Sequence, residues 1–307
     1  MAVSIPDNSP SAEYVTPDDV KAHLYLLGAF VHLRRVHGDR WPSYVEHCIV
    51  KFREWIRRLE ILSDHELNCT LRDNPPDLEI LMVWHTYLLN PVKYHHHGMG
   101  IYPTIQKLGA FPLSDTAERL NALTDKASST TLFRTENSVE NSVAFDLKAA
   151  VLRQCSFISK VESLGWTKLP TNQFISSSIA RYSAFLKLVA IAGVNSFVPT
   201  LDIDLVWHTH QLKGAIYCQD TRQLFGHVLD HNDNIPDEDL AVSFTATEEA
   251  WKSLTGTPYL EKHRNAGCGS GGCNGECGAM VASGCSPVSS CEEFSIEKLC
   301  SAALNGI

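Results

Sequence analysis

Apolar residues recur at three- and four-residue spacing through most of the first 265 positions, and strict alternation of apolar and polar residues is nearly absent. The first pattern is that of an amphipathic helix and the second would be that of a strand, so the expected class is mostly α. The spacing predicts helices over 17–36 and 145–163. It also predicts them over Tyr44–Ile56 and Ile179–Val189, where large apolar residues fall on one face.

Two more helices are predicted by internal repetition. Pro76-Asp77-Leu78-Glu79-Ile80-Leu81-Met82-Val83-Trp84-His85-Thr86 lies on Pro199-Thr200-Leu201-Asp202-Ile203-Asp204-Leu205-Val206-Trp207-His208-Thr209 at a constant offset of 123, and the register still holds at Tyr94 and Tyr217. In each copy a residue suited to N-capping, Asp77 or Thr200, follows a proline. A first-turn carboxylate, Glu79 or Asp202, comes next. The expected organisation is therefore two duplicated helical halves in one compact body. A flexible N-terminus (1–16) precedes helical repeat 1 (17–113). A polar connector (114–144) carrying a helix from Thr116 to Leu123 leads to helical repeat 2 (145–265). A flexible Gly/Cys-rich tail (266–307) follows.

Composition narrows the class. The chain has 307 residues, is 44% hydrophobic and has a formal charge of −9, enough apolar material for a core and the wrong sign for a general nucleic-acid or anionic-membrane binder. No uninterrupted apolar run is long enough to span a bilayer, and the first ten residues carry neither the basic nor the apolar region of a secretory signal. A cytoplasmic location is the expectation. In a reducing compartment the ten cysteines read as thiols or metal ligands before disulfides.

The candidate chemistry gathers in the second copy. Asp204 and His208 are four apart, so a helix sets them on one face, while His210 points elsewhere. Downstream, Phe225-Gly226-His227-Val228-Leu229-Asp230-His231 brings two further histidines. Neutral imidazole and carboxylate suit zinc, iron or manganese, and two histidines with one carboxylate leave coordination positions for substrate. The expected divalent-metal site uses Asp204, His208 and one of His227 or His231. His210 stands behind them, and His85 could arrive by pseudo-symmetric packing. The first copy has Leu81 where the second has Asp204, which assigns any such chemistry to the second half.

The alternative is that His85 and His208 are core residues hydrogen-bonded to carbonyls or to Tyr94 and Tyr217, with Glu79 and Asp202 serving only as first-turn charges. His95-His96-His97, beside Gly98 and Gly100, reads as a surface turn with incidental metal affinity. The tail cysteines, Cys268, Cys273, Cys277, Cys285, Cys291 and Cys300, include no C-x-x-C pair, so they lack zinc-finger spacing and read as exposed thiols. No nucleophile-elbow, P-loop or dinucleotide fingerprint is present.

The two Trp-His segments, with Asn90-Pro91-Val92-Lys93-Tyr94 after the first, Tyr217 after the second and Asp230-His231-Asn232-Asp233 beyond it, resemble the glycine-rich domain-containing protein-like family over roughly residues 20–262. The resemblance implies a largely helical duplicated domain found in plants and fungi. It associates plant members with development and stress responses, and gives some of them a long glycine-rich region and a proposed RNA-binding segment. This chain has only a short Gly/Cys tail, and Gly214 stands where the family usually has Pro. No catalytic role follows from the resemblance. Two readings remain: a metal-binding helical protein, with a metal-dependent enzyme as one form of it, and a non-enzymatic interaction or regulatory protein with structural histidines. A protein partner or small-molecule ligand is left unspecified by both.

Overall fold

The structure is a computed structural model that describes residues 15–73, 76–98, 103–129, 146–168, 170–192, 197–231 and 237–260. The Gly/Cys-rich tail and residues 130–144 of the connector lie outside the described residues. Within them the body is helical and contains no strand.

In chain order the helices are α1 (Pro17–His37), α2 (Trp41–Glu60), α3 (Asp64–Asp73), α4 (Leu78–Leu88), α5 (Pro91–Gly98), α6 (Pro103–Lys107), α7 (Leu113–Glu118), α8 (Leu120–Ser128), α9 (Leu147–Ser163), α10 (Asn172–Ala192), α11 (Leu201–Gln211), α12 (Ala215–Phe225) and α13 (Asp237–Thr255). α1 begins in a capping box: Thr16 Oγ1 accepts from the Asp19 amide at 3.1 Å, and Asp19 returns a bond to the Thr16 amide at 3.0 Å. The same Asp19 carboxylate accepts Lys213 Nζ at 2.8 Å, which ties the start of α1 to the turn after α11. α1 then packs against α7, α8, α9, α10 and α11 and joins the early elements to the late ones.

The Trp-His segments are α4 and α11, eleven residues each, and every residue of both is buried. α2 covers α4 and α10 covers α11. Such all-round burial matches the near-continuous apolar run of α4, whereas in α11 six of the eleven buried residues are polar and must be satisfied inside the body.

Burial also changes the part played by their first-turn carboxylates, which the sequence reads as simple end charges. Glu79 and Asp202 are both enclosed and each is held by a cation from the covering helix. Lys51 Nζ of α2 reaches Glu79 at 3.0 Å, and Arg181 Nε of α10 reaches Asp202 at 2.6 Å. Asp77 and Thr200 do occupy the N-cap positions, but neither side chain caps its helix. Asp77 accepts Lys51 and Lys126, while Thr200 donates to Asp202 at 2.6 Å. A buried charge requires a counter-charge more than a helix end requires a cap, and the ion pairs have taken these side chains.

Three further expectations are revised. The helix expected over 116–123 is two, α7 and α8, interrupted at Arg119. The histidine run is not a turn: Pro91 starts α5, which carries His95 and His96, and His95 Nε2 accepts from Arg222 of α12. Tyr217 is not the hydrogen-bond partner of His208. Its hydroxyl accepts Trp207 Nε1 at 2.8 Å and donates to the Leu229 carbonyl at 2.9 Å.

Gly214 precedes α12 at φ +60°, and a Cβ there would stand 3.0 Å from the Tyr94 hydroxyl. Proline, locked near φ −65°, cannot adopt this turn. α10 is the one described helix long and apolar enough to cross a membrane by length and composition. It carries the buried Arg181–Asp202 pair and packs on α11, which makes it a core helix of the body.

Candidate metal centre

On α11 the four-residue spacing sets Asp204 and His208 one turn apart, with His208 Nε2 3.5 Å from Asp204 Oδ1. The third member comes from the segment that follows α12. That helix stops at Gly226, which closes it in the left-handed conformation, φ +76°. The chain then turns back, and the Tyr217 hydroxyl holds Leu229 by its carbonyl. Two residues on, His231 lies edge-on to Trp207 and His208, ring centres 4.9 and 4.6 Å away. Its Nε2 lies 3.0 Å from Asp204 Oδ1 and 3.1 Å from His208 Nε2. All three side chains are buried, at 1–3% exposure.

Protons alone serve this triangle poorly. The single Nε2–H of a neutral His231 can point at Asp204 or at His208, not at both. The 3.5 Å edge is too long for a hydrogen bond. Burial and the neighbouring imidazoles hold His208 well below its usual pKa, so it is neutral, and its Nδ1 meets no partner among the described residues. A cation satisfies all three donors at once. The point equidistant from three atoms with these separations lies about 1.9 Å from each, so an ion with ligand bonds of about 2.0–2.1 Å sits just outside their plane. The triangle edges also fit the ligand separations of such an ion, about 3.0 Å in octahedral and about 3.4 Å in tetrahedral geometry. Among the described residues these three are the one His/Cys/Asp/Glu group with that convergence.

The other expected ligands lie elsewhere. His227 is exposed and donates from Nδ1 to the Phe225 carbonyl at 2.9 Å, two residues away. His210 accepts the Tyr182 hydroxyl at Nδ1, 2.9 Å, and faces Asp220 from Nε2 at 3.0 Å, on the side of α11 toward α10 and α12. His85 is paired with His23 of α1, Nε2 to Nε2 at 2.9 Å. Sequence reasoning did not single out His23, whose one signal was a histidine between Ala22 and Leu24 on a core-facing stripe. Tyr182 and Asp220 were missed in the same way.

The glycine-rich domain-containing protein-like family matches residues 115–220. Two curated relatives from Arabidopsis thaliana align over most of the chain. Glycine-rich domain-containing protein 2 is 28% identical over 271 residues, covering 78% of this chain and 32% of its own length. Glycine-rich domain-containing protein 1 is 29% identical over 279 residues, covering 80% and 34%. Over these segments the chain is similar to the glycine-rich domain-containing protein-like family. It spans about a third of the length of these relatives, and no solved structure matches it. The family segment contains α11, with Asp204 and His208, but ends before His231. It also begins after α4, so the first Trp-His helix is outside it.

Proposed function

We propose that this protein, similar to the glycine-rich domain-containing protein-like family, binds one divalent transition-metal ion, of the zinc, iron or manganese class, through Asp204, His208 and His231. The observation that carries the reading is the triangle of Oδ1 and two Nε2 atoms, 3.0, 3.1 and 3.5 Å on its sides, inside the core. The donor set is two neutral nitrogens and one carboxylate oxygen, which suits this class of ion and leaves further positions for water or another donor. The near-complete burial of the three side chains favours an ion that fastens α11 to the segment after α12. A metal-dependent enzyme is the alternative use of the same centre and requires a path for substrate to the open positions.

A second reading, a non-enzymatic interaction or regulatory protein whose Trp-His histidines only support the core, draws on α4, where His85 is satisfied by His23 without any metal. The test is the metal content of protein purified without a histidine tag. One equivalent is expected in the wild type, lost in His208→Ala and in His231→Ala, and kept in His95→Ala and His227→Ala. Wild-type protein that neither carries nor takes up zinc(II), iron(II) or manganese(II) overturns the metal reading and leaves the second.

A further inference from the structure

A cleft of about 470 Å³ opens between α1, α4 and α9, and none of the three metal-centre side chains lines it. The volume is in the range of small-molecule sites. Phe30, Val31, Met82, Val151 and Ile158 make its walls apolar. Two polar groups among the lining residues are available to a ligand in different ways.

The first is Arg34, at the rim. Its neighbour Arg35 is neutralised by Glu162 across the mouth of the cleft. Arg34 itself has only neutral partners: Nη1 donates to Ser159 Oγ at 2.9 Å and to the Cys155 carbonyl at 3.4 Å. It meets no carboxylate among the described residues. In a chain of net charge −9, a guanidinium without a counter-ion beside an apolar cavity is a local exception to the surrounding field.

The second is His85, in the cleft lining, and its tautomer follows from its partners. Thr209 Oγ1 gives its proton to the Leu205 carbonyl at 2.8 Å, so toward His23 Nδ1, 2.9 Å away, it can only accept. His23 therefore carries its proton on Nδ1. Burial keeps that ring neutral, which makes its Nε2 an acceptor. The 2.9 Å contact is then a bond from His85 Nε2–H. His85 Nδ1 is left as a lone-pair acceptor on a ring that lines the cleft.

We propose that this cleft binds a small organic carboxylate with an apolar body. The carboxylate pairs with Arg34, the body lies against Phe30, Met82 and Ile158, and His85 Nδ1 accepts from a hydroxyl or N–H on the same molecule. The proposal is independent of the metal centre.

The test is calorimetric titration of the full chain with octanoate, 3-phenylpropanoate and 3-(4-hydroxyphenyl)propanoate, each against its corresponding alcohol. At least one carboxylate should bind, and bind about tenfold or more tighter than its alcohol. Arg34 is exposed, so Arg34→Gln should fold and keep its metal content while losing that preference, and Arg34→Lys should restore part of it. Ile158→Trp, which fills the cleft, should abolish binding of carboxylate and alcohol alike. The proposal is overturned if no member of the set binds, if the carboxylates bind no tighter than the alcohols, or if Arg34→Gln leaves the preference intact.

Discussion

His85 and His208 stand at the same position of two eleven-residue helices 123 residues apart in sequence, yet they make opposite connections. His85 shares a proton with His23 at 2.9 Å. His208 faces a second imidazole and a carboxylate in a triangle that hydrogen bonds cannot close. The difference sits one turn upstream, where α4 has Leu81 and α11 has Asp204. With leucine there, two neutral histidines form a complete pair. With aspartate there, the position brings a buried carboxylate oxygen beside two imidazole nitrogens.

Metal removal should therefore destabilise the protein. A ligand that binds only the folded state contributes about 3–4 kcal/mol when present at 100 to 1,000 times its Kd. Treatment with a strong chelator should lower Tm by several degrees, and re-addition of the ion should restore it. The same treatment of His208→Ala should leave Tm unmoved.

Tyr217 positions the third residue of the proposed centre. Its hydroxyl accepts from Trp207 and holds Leu229, two residues before His231. Tyr217→Phe keeps all three ligands but should weaken metal affinity by about tenfold or more, because the segment carrying His231 loses its anchor. Competition against a chromogenic chelator would measure this, and an unchanged affinity would remove Tyr217 from the account.

The two buried ion pairs should respond unequally to loss of the cation. Arg181 is enclosed with Asp202 and also donates to Thr200 and the Tyr259 carbonyl, whereas Lys51 is partly open to solvent. Arg181→Met strands a charge in the core and should cost about 3–5 kcal/mol. Lys51→Met should cost less, because water can reach around that pair. Urea unfolding of both variants gives the comparison.

Acid should unfold the metal-free protein from within. Burial holds His85 down at about 3 and pushes His23 well below its usual value, the neighbouring His85 adding to the effect. Both rings are neutral when folded and take a proton when released, since a free imidazole titrates near about 6.5. The folded pKa values lie below the unfolded ones, so this stability is intact above about pH 6.5 and is lost as pH falls toward 3. The urea midpoint of metal-free protein should decline steadily from pH 7 to pH 4. A flat profile would mean that these rings are more accessible to water than their burial indicates.

Much of the helical framework was legible in the residues because helices are local. Apolar spacing placed α1 and α9, and the 123-residue offset placed α4 and α11, within about two residues of their observed bounds, whereas the spacing caught only the middle of α2 and α10. The pairing of Asp204 with His208 was equally local, since one helical turn sets it. What followed from contacts distant in sequence was decided only by the folded chain. Gly226 ends α12 and Tyr217 grips Leu229, so the returning segment carries His231 to the centre and leaves His227 on the surface, a choice that sequence spacing left open. His23 meets His85, and Arg34 meets the cleft, because α1 runs between early and late helices. Helical periodicity says which face of a segment is apolar. Only packing says what stands opposite that face, and the chemistry of a buried histidine is decided by its neighbour.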